Sequence, residues 1–196
     1  MTTTLRRATT TLAAAVLAAG TLAASGAATA SGAPATPSHD PEVVQLRLTP
    51  SSDQLAACMR HARVSVEVEL TTDRVGFDSF EMHARGLPRN TAFTVFLLEQ
   101  ADSPFGAAEY IGDLFTDRWG RAENTFRLIV QEAFASTLVD DQRVRVDLNQ
   151  VGMWFADPAG DDFCLGANSP VTPFDGDDEA GVQAFNSLNT TPLPAP

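Results

Sequence analysis

Asp175, Asp177 and Glu179 place carboxylates at alternate positions of the run Asp175-Gly176-Asp177-Asp178-Glu179, as the opening of a calcium loop does. The rest of such a loop is missing. Its sixth position is Ala180 where the sharp turn requires glycine, and its twelfth is Asn186 instead of a bidentate glutamate. The run reads as a solvated acidic turn, with a weak calcium site on Asp175, Asp177 and Glu179 as the competing expectation. His39, His61 and His83 are the only histidines, too few for the binuclear copper–zinc centre that some exported sandwiches carry. His83, between Glu81 and Arg85 at strand spacing, reads as a surface histidine in a charged row. No G-x-S-x-G is present and no serine, histidine and acid fall in a triad-like order, so no catalytic residue and no cofactor is assigned. A carboxylate pair for glycoside hydrolysis meets in space and leaves no mark in sequence. Trp154, bracketed by Met153 and Phe155, reads as core. Trp119, between Arg118 and Gly120, reads as an exposed ring that could stack on a sugar.

The thirteen basic residues are all arginine. The absence of lysine excludes Schiff-base chemistry, a Ser/Lys dyad, a lysine isopeptide staple and a P-loop. Cys58 and Cys164 are the only cysteines, and with no C-x-x-C and no neighbouring histidine at Cys164 they read as a disulfide formed in an oxidising compartment.

That compartment follows from the first thirty residues. Arg6 and Arg7 precede an uncharged Leu12–Ala24 stretch, and Ala28-Thr29-Ala30 supplies a small-x-small cleavage pattern, so residues 1–30 read as a signal peptide. The apolar stretch is too short to span a bilayer, so no membrane anchor is expected from it and the product is expected to be secreted. Residues 31–41 read as a flexible leader. Beyond residue 30, eleven arginines stand against twenty-five acids, a formal charge of −14, and after Arg145 eight carboxylates follow with no base. Nucleic-acid binding and docking to anionic lipid are not expected of such a balance.

The elements that would position any site follow from period-two alternation. Val64, Val66, Val68 and Leu70 alternate with Ser65, Glu67 and Glu69; Phe80, Met82 and Ala84 alternate with Glu81, His83 and Arg85. Each pattern predicts a strand with one buried and one wet face. Phe93–Leu98 is apolar on both faces and predicts a strand covered on both sides. Strands are also expected around Val43–Thr49, Ile111–Phe115, Phe126–Val130, Val144–Leu148 and Gly152–Phe155, with turns at Gly86–Asn90 and Thr116–Arg121. Val64, Val66, Val68, Phe93, Val95, Leu97, Phe126, Leu128, Val144 and Val146 are expected to share one core. Val130–Val139 reads as a short helix crossing between sheets, and Val182, Phe185 and Leu188 have the spacing of a short docked helix. The whole predicts an all-β antiparallel sandwich of immunoglobulin-like Greek-key type over residues 42–168, a short helix near the C-terminus, and an acidic, proline-ended segment over 169–196.

The segments Gly86-Leu87-Pro88-x-Asn90-Thr91-x-Phe93-Thr94-Val95, Phe115-Thr116-Asp117-x-x-Gly120-x-Ala122 and Phe174–Ala184 resemble those of uncharacterised secreted immunoglobulin-like β-sandwich proteins of high-GC Gram-positive bacteria. The resemblance implies the fold and no activity. The expected role is a non-catalytic structural or interaction module at or outside the cell envelope, with an unknown protein or envelope glycan as partner. A small carboxylate-dependent polysaccharide hydrolase and a weak calcium-dependent binding domain are the competing readings.

Overall fold

The computed structural model describes residues 42–172, 179–190 and 192–194; the expected signal peptide, leader and His39 lie outside them. Ten strands form in chain order: β1 Glu42–Pro50, β2 Arg63–Leu70, β3 Asp78–Arg85, β4 Ala92–Leu98, β5 Ala108–Phe115, β6 Arg121–Leu128, β7 Phe134–Val139, β8 Gln142–Asp147, β9 Gln150–Phe155 and β10 Gln183–Asn186. Three single-turn helices join them: α1 Asp53–Cys58, α2 Thr72–Val75 and α3 Asp162–Leu165, the last preceded by a 3-10 turn over Pro158–Asp161. Among the described residues no helix is long and apolar enough to cross a membrane.

Eight strands follow the order β5-β4-β9-β10-β1-β2-β3-β6, every pair antiparallel. The fold is an all-β sandwich, and β1 is its seam. Val44 to Leu48 pair with Val68 to Val64 of β2, while Thr49 and Pro50 turn to Asn186 and Phe185 of β10. One layer is β1-β2-β3-β6 and the other is β5-β4-β9-β10. Their inner faces meet in a core that includes Val64, Val66, Val68, Phe80, Met82, Phe93, Val95, Leu97, Met153 and Phe155, as the alternation predicts. The outer face of β4 and β9 is closed as well. Phe96, Leu98 and Trp154 pack there with Ala180 and Phe105 from the flanking loops. This double cover is why Phe93–Leu98 carries no polar face.

Three sequence expectations meet a different outcome. Val130–Val139 makes no crossing helix. After a turn the chain enters β7, which pairs with β8 through a two-residue Asp140-Asp141 turn with φ of 50° and 62°, the primed hairpin geometry that matches strand twist. Val144 and Val146 consequently lie on this separate two-stranded ribbon, Val144 exposed and Val146 half-buried, and not in the common core. Val182, Phe185 and Leu188 bound no helix, because Gln183–Asn186 is a strand whose four residues are all buried between β9 and β1. The short helical segment near the C-terminus falls earlier, over 158–165.

Buried polar groups fix the ends of the layers. Asp78, fully buried, accepts backbone N–H bonds from Thr71 (2.7 Å), Thr72 (2.8 Å) and Val130 (2.8 Å), tying the start of β3 to the loop after β6. Asp161 accepts from the Ser169 hydroxyl (2.5 Å) and the Val182 N–H (3.0 Å), holding the segments around Ser169 and Val182 to the 3-10 turn. Cys58 of α1 and Cys164 of α3 form a disulfide with Cα atoms 5.8 Å apart.

Candidate functional site

In a strand pair, directly opposed residues share a face, so the register of the β1-β2-β3-β6 layer composes its outer surface row by row. Gln45, Glu67, Glu81 and Thr125 form one row; Arg47, Ser65, His83 and Glu123 form the next. At the end of the layer Arg63, Arg85 and Arg121 stand side by side on three adjacent strands, with Arg47 one row away. The layer's inward residues are core, so these side chains meet solvent.

Two locked turns hold the arginine row. Gly86 follows Arg85 and Gly120 precedes Arg121, both with φ of 72°, a conformation that glycine alone adopts freely. The Leu87 N–H donates to the Gly120 carbonyl (3.2 Å), and the Asn90 N–H donates to that of Asp117 (3.2 Å). A Cβ on either glycine would strike neighbouring backbone, that of His61 for Gly86 and of Leu87 for Gly120. Asp117 braces the second turn by accepting N–H bonds from Trp119 (2.8 Å) and Arg121 (2.9 Å). The Arg121 N–H bond is the main influence that lowers the Asp117 pKa from its ordinary value, partly opposed by burial and reinforced by the Trp119 N–H and the charges of Arg121 and Arg118.

Like charges directly opposed in a ladder are destabilising, and this row has little to offset them. Among the described residues no carboxylate lies within ion-pair distance of Arg47, Arg63, Arg85 or Arg121. Arg63 turns one nitrogen to the Ala62 carbonyl (2.6 Å). Arg47, Arg63, Ser65, His83 and Arg85 line an open depression of about 330 Å³, near the lower end of ordinary small-ligand sites. A second depression, lined by His83, Arg85, Asp117, Arg121 and Glu123, continues it across β6.

His83 lies between two carboxylates: its Nε2 is 3.1 Å from Glu81 Oε1 and its Nδ1 is 3.6 Å from Glu123 Oε2. The partner that adjacency in sequence did not show is Glu123, brought across by the β3–β6 register. The three side chains offer donor atoms within 4.8 Å of one another, which gives a cation one imidazole and two carboxylates. Both ring nitrogens already face a carboxylate, and Arg47, Arg85 and Arg121 add positive charge around the trio, which works against a metal ion held there. As an acid–base pair, Glu81 and Glu123 come close to the ~5 Å separation of a retaining glycosidase, yet the His83 ring fills the space a sugar would need.

The remaining candidates are dispersed. Trp119 is exposed at the head of the β5–β6 turn, with the Arg118 guanidinium 3.8 Å above its ring. Trp154 is buried against Phe96 and Phe105, as expected. His61 accepts from Arg60 Nε (3.2 Å) beside the arginine row. Asp175 and Asp177 lie outside the described residues, and Glu179 is exposed. Arg47, Arg63, Arg85 and Arg121 were not singled out by the sequence as a group, because only strand register unites positions so far apart. No protein-family model matches the chain, and no curated protein matches it.

Proposed function

We propose that this chain is a secreted, non-catalytic β-sandwich that binds a partner at or outside the cell envelope through the outer face of β1-β2-β3-β6. The observation that carries the reading is the arginine row, which among the described residues makes no ion pair with a carboxylate. A fold with a strong excess of acids sets three arginines shoulder to shoulder and locks them with two glycine turns, an arrangement that works against stability and is explained by contact with something outside the chain. The face is open and shallow, the form of a contact surface, whereas a hydrolase needs a cleft that desolvates its general acid. Among the described residues, the outer face of β4 and β9 in the opposite layer is covered by Ala180 and Phe105 from its own loops.

The test is retention of the mature protein on washed envelope and secreted polymer from its producing cells, alongside an assay for new reducing ends. Binding that is weakened by Ser65→Glu in the middle of the face, with no bond cleavage, is the expected result. Cleavage that tracks Glu81 or Glu123 would replace this reading with the hydrolase.

A further inference from the structure

We infer that the arginine face takes an extended anionic glycan, one carrying carboxylate or phosphate groups on successive sugars; this rests on the binding-module reading above and names its ligand class. Three features of the face converge on it. First, the cations are all guanidinium groups, planar forks that grip oxyanions through paired hydrogen bonds. Second, Arg63, Arg85 and Arg121 occupy adjacent strands at the sheet's lateral spacing of ~4.8 Å, a continuous run of cations that a polyanion laid across the strands can follow. An acidic peptide offers the row its carboxylates but no sugar face to the exposed ring of Trp119. Third, the two depressions share His83, Ala84 and Arg85 and so form one continuous open surface, which suits a polymer passing over the face more than a small anion held within it. Trp119 stands two residues before Arg121, its ring exposed. Arg118 covers one side of that ring and leaves the other for the apolar face of a sugar.

The net charge of −14 argued against anionic ligands in the sequence, but charge acts locally. At physiological salt, fields between exposed groups fade over about 8 Å, so acids elsewhere on the chain are screened from a ligand on the row; Asp117 and Glu123 share the depression with Arg121, but among the described residues no carboxylate is within ion-pair distance of Arg63, Arg85 or Arg121.

The experiment measures binding of the mature protein to four probes matched in length: an oligouronate, a hexose-phosphate oligomer, a neutral dextran oligomer and oligoglutamate. Binding to the oligouronate, the hexose-phosphate oligomer or both is expected, and the tighter of the two identifies the anion. Affinity should fall with added salt, drop about tenfold in Arg85→Thr or Arg121→Thr, and be unchanged in Arg143→Thr, which removes the same charge from the β7–β8 ribbon. Melting curves confirm that each variant is folded. Oligoglutamate binding as tightly as the anionic sugars, dextran binding equally well, or Arg143→Thr weakening binding as much as Arg85→Thr would each overturn the inference. If the protein holds to envelope material but to neither anionic oligomer, the ligand class is wrong and the binding module stands; if it holds to nothing, both fall.

Discussion

Arg85 stands on the middle strand of the arginine row, opposed by Arg63 on β2 and Arg121 on β6, so Arg85→Thr removes two like-charge contacts in one step and substitutes a residue with a good strand preference. Each directly opposed pair of like charges costs about 0.2–1 kcal/mol, which makes the expected gain roughly 0.4–2 kcal/mol. For a domain of this size 1 kcal/mol moves the melting temperature by about 2–4 °C, so the variant should melt roughly 1–8 °C higher in a low-salt buffer. The gain should shrink in 1 M salt, where the screening length falls to about 3 Å. Arg47→Thr is the control, because Arg47 faces the neutral Ser65 and its removal relieves no opposed charge. Differential scanning calorimetry of wild type and both variants at two ionic strengths checks the argument. A lower melting temperature for Arg85→Thr, or a gain as large in 1 M salt as in 20 mM, would refute the claim that the row is held against its own repulsion.

Replacing Cys58 and Cys164 together by serine opens a loop spanning 106 positions, and the chain-entropy relation assigns that constraint about 4–5 kcal/mol; the denaturant midpoint should fall accordingly, and the m-value should rise as the denatured chain opens. Asp78→Asn turns one of the three N–H contacts of the buried carboxylate into a donor facing a donor, and should cost about 2–4 kcal/mol in chemical denaturation. The lowered pKa of Asp117 gives a contribution to stability that is present above the unfolded-state pKa and is lost as pH falls through the folded one; NMR titration of the Trp119 and Arg121 amides should show a midpoint below the ordinary aspartate value, and a midpoint at or above that value would contradict the bracing role assigned to it.

Alternation made the β1-β2-β3-β6 layer legible, because each of those strands has one wet face and its sequence shows it: Val64, Val66 and Val68 are buried while Ser65 and Glu69 are exposed. The same test fails where both faces are covered. Gln183, Ala184, Phe185 and Asn186 lie in a central strand with no polar face to mark it. The two amides are accommodated because Gln183 donates to the Ala101 carbonyl (2.9 Å) and Asn186 donates to Gln183 (3.2 Å); with no alternation to show the strand, the spacing of Val182, Phe185 and Leu188 read as a helix where there is a sheet interior. Val144 alternates like a core residue and still reaches solvent, since the ribbon it belongs to joins neither layer. The disulfide was readable from two cysteines and the expectation of export. The arginine row was not, because Arg47, Arg63, Arg85 and Arg121 become neighbours only when three ladders settle into register.

The position of β10 governs how the fold can be completed. Among the described residues it is the last strand, yet it lies between β9 and β1, and its pairing of Pro50 with Phe185 joins positions separated by most of the domain. A chain emerging with its N-terminus first therefore holds two unpaired strand edges until residue 186 is free, and contacts of such long sequence separation slow a folding reaction. During that interval β1 and β9 present open ladders that invite pairing with other copies. Truncation before Gln183 would make the interval permanent, so that a shortened chain would form aggregates instead of a smaller sandwich.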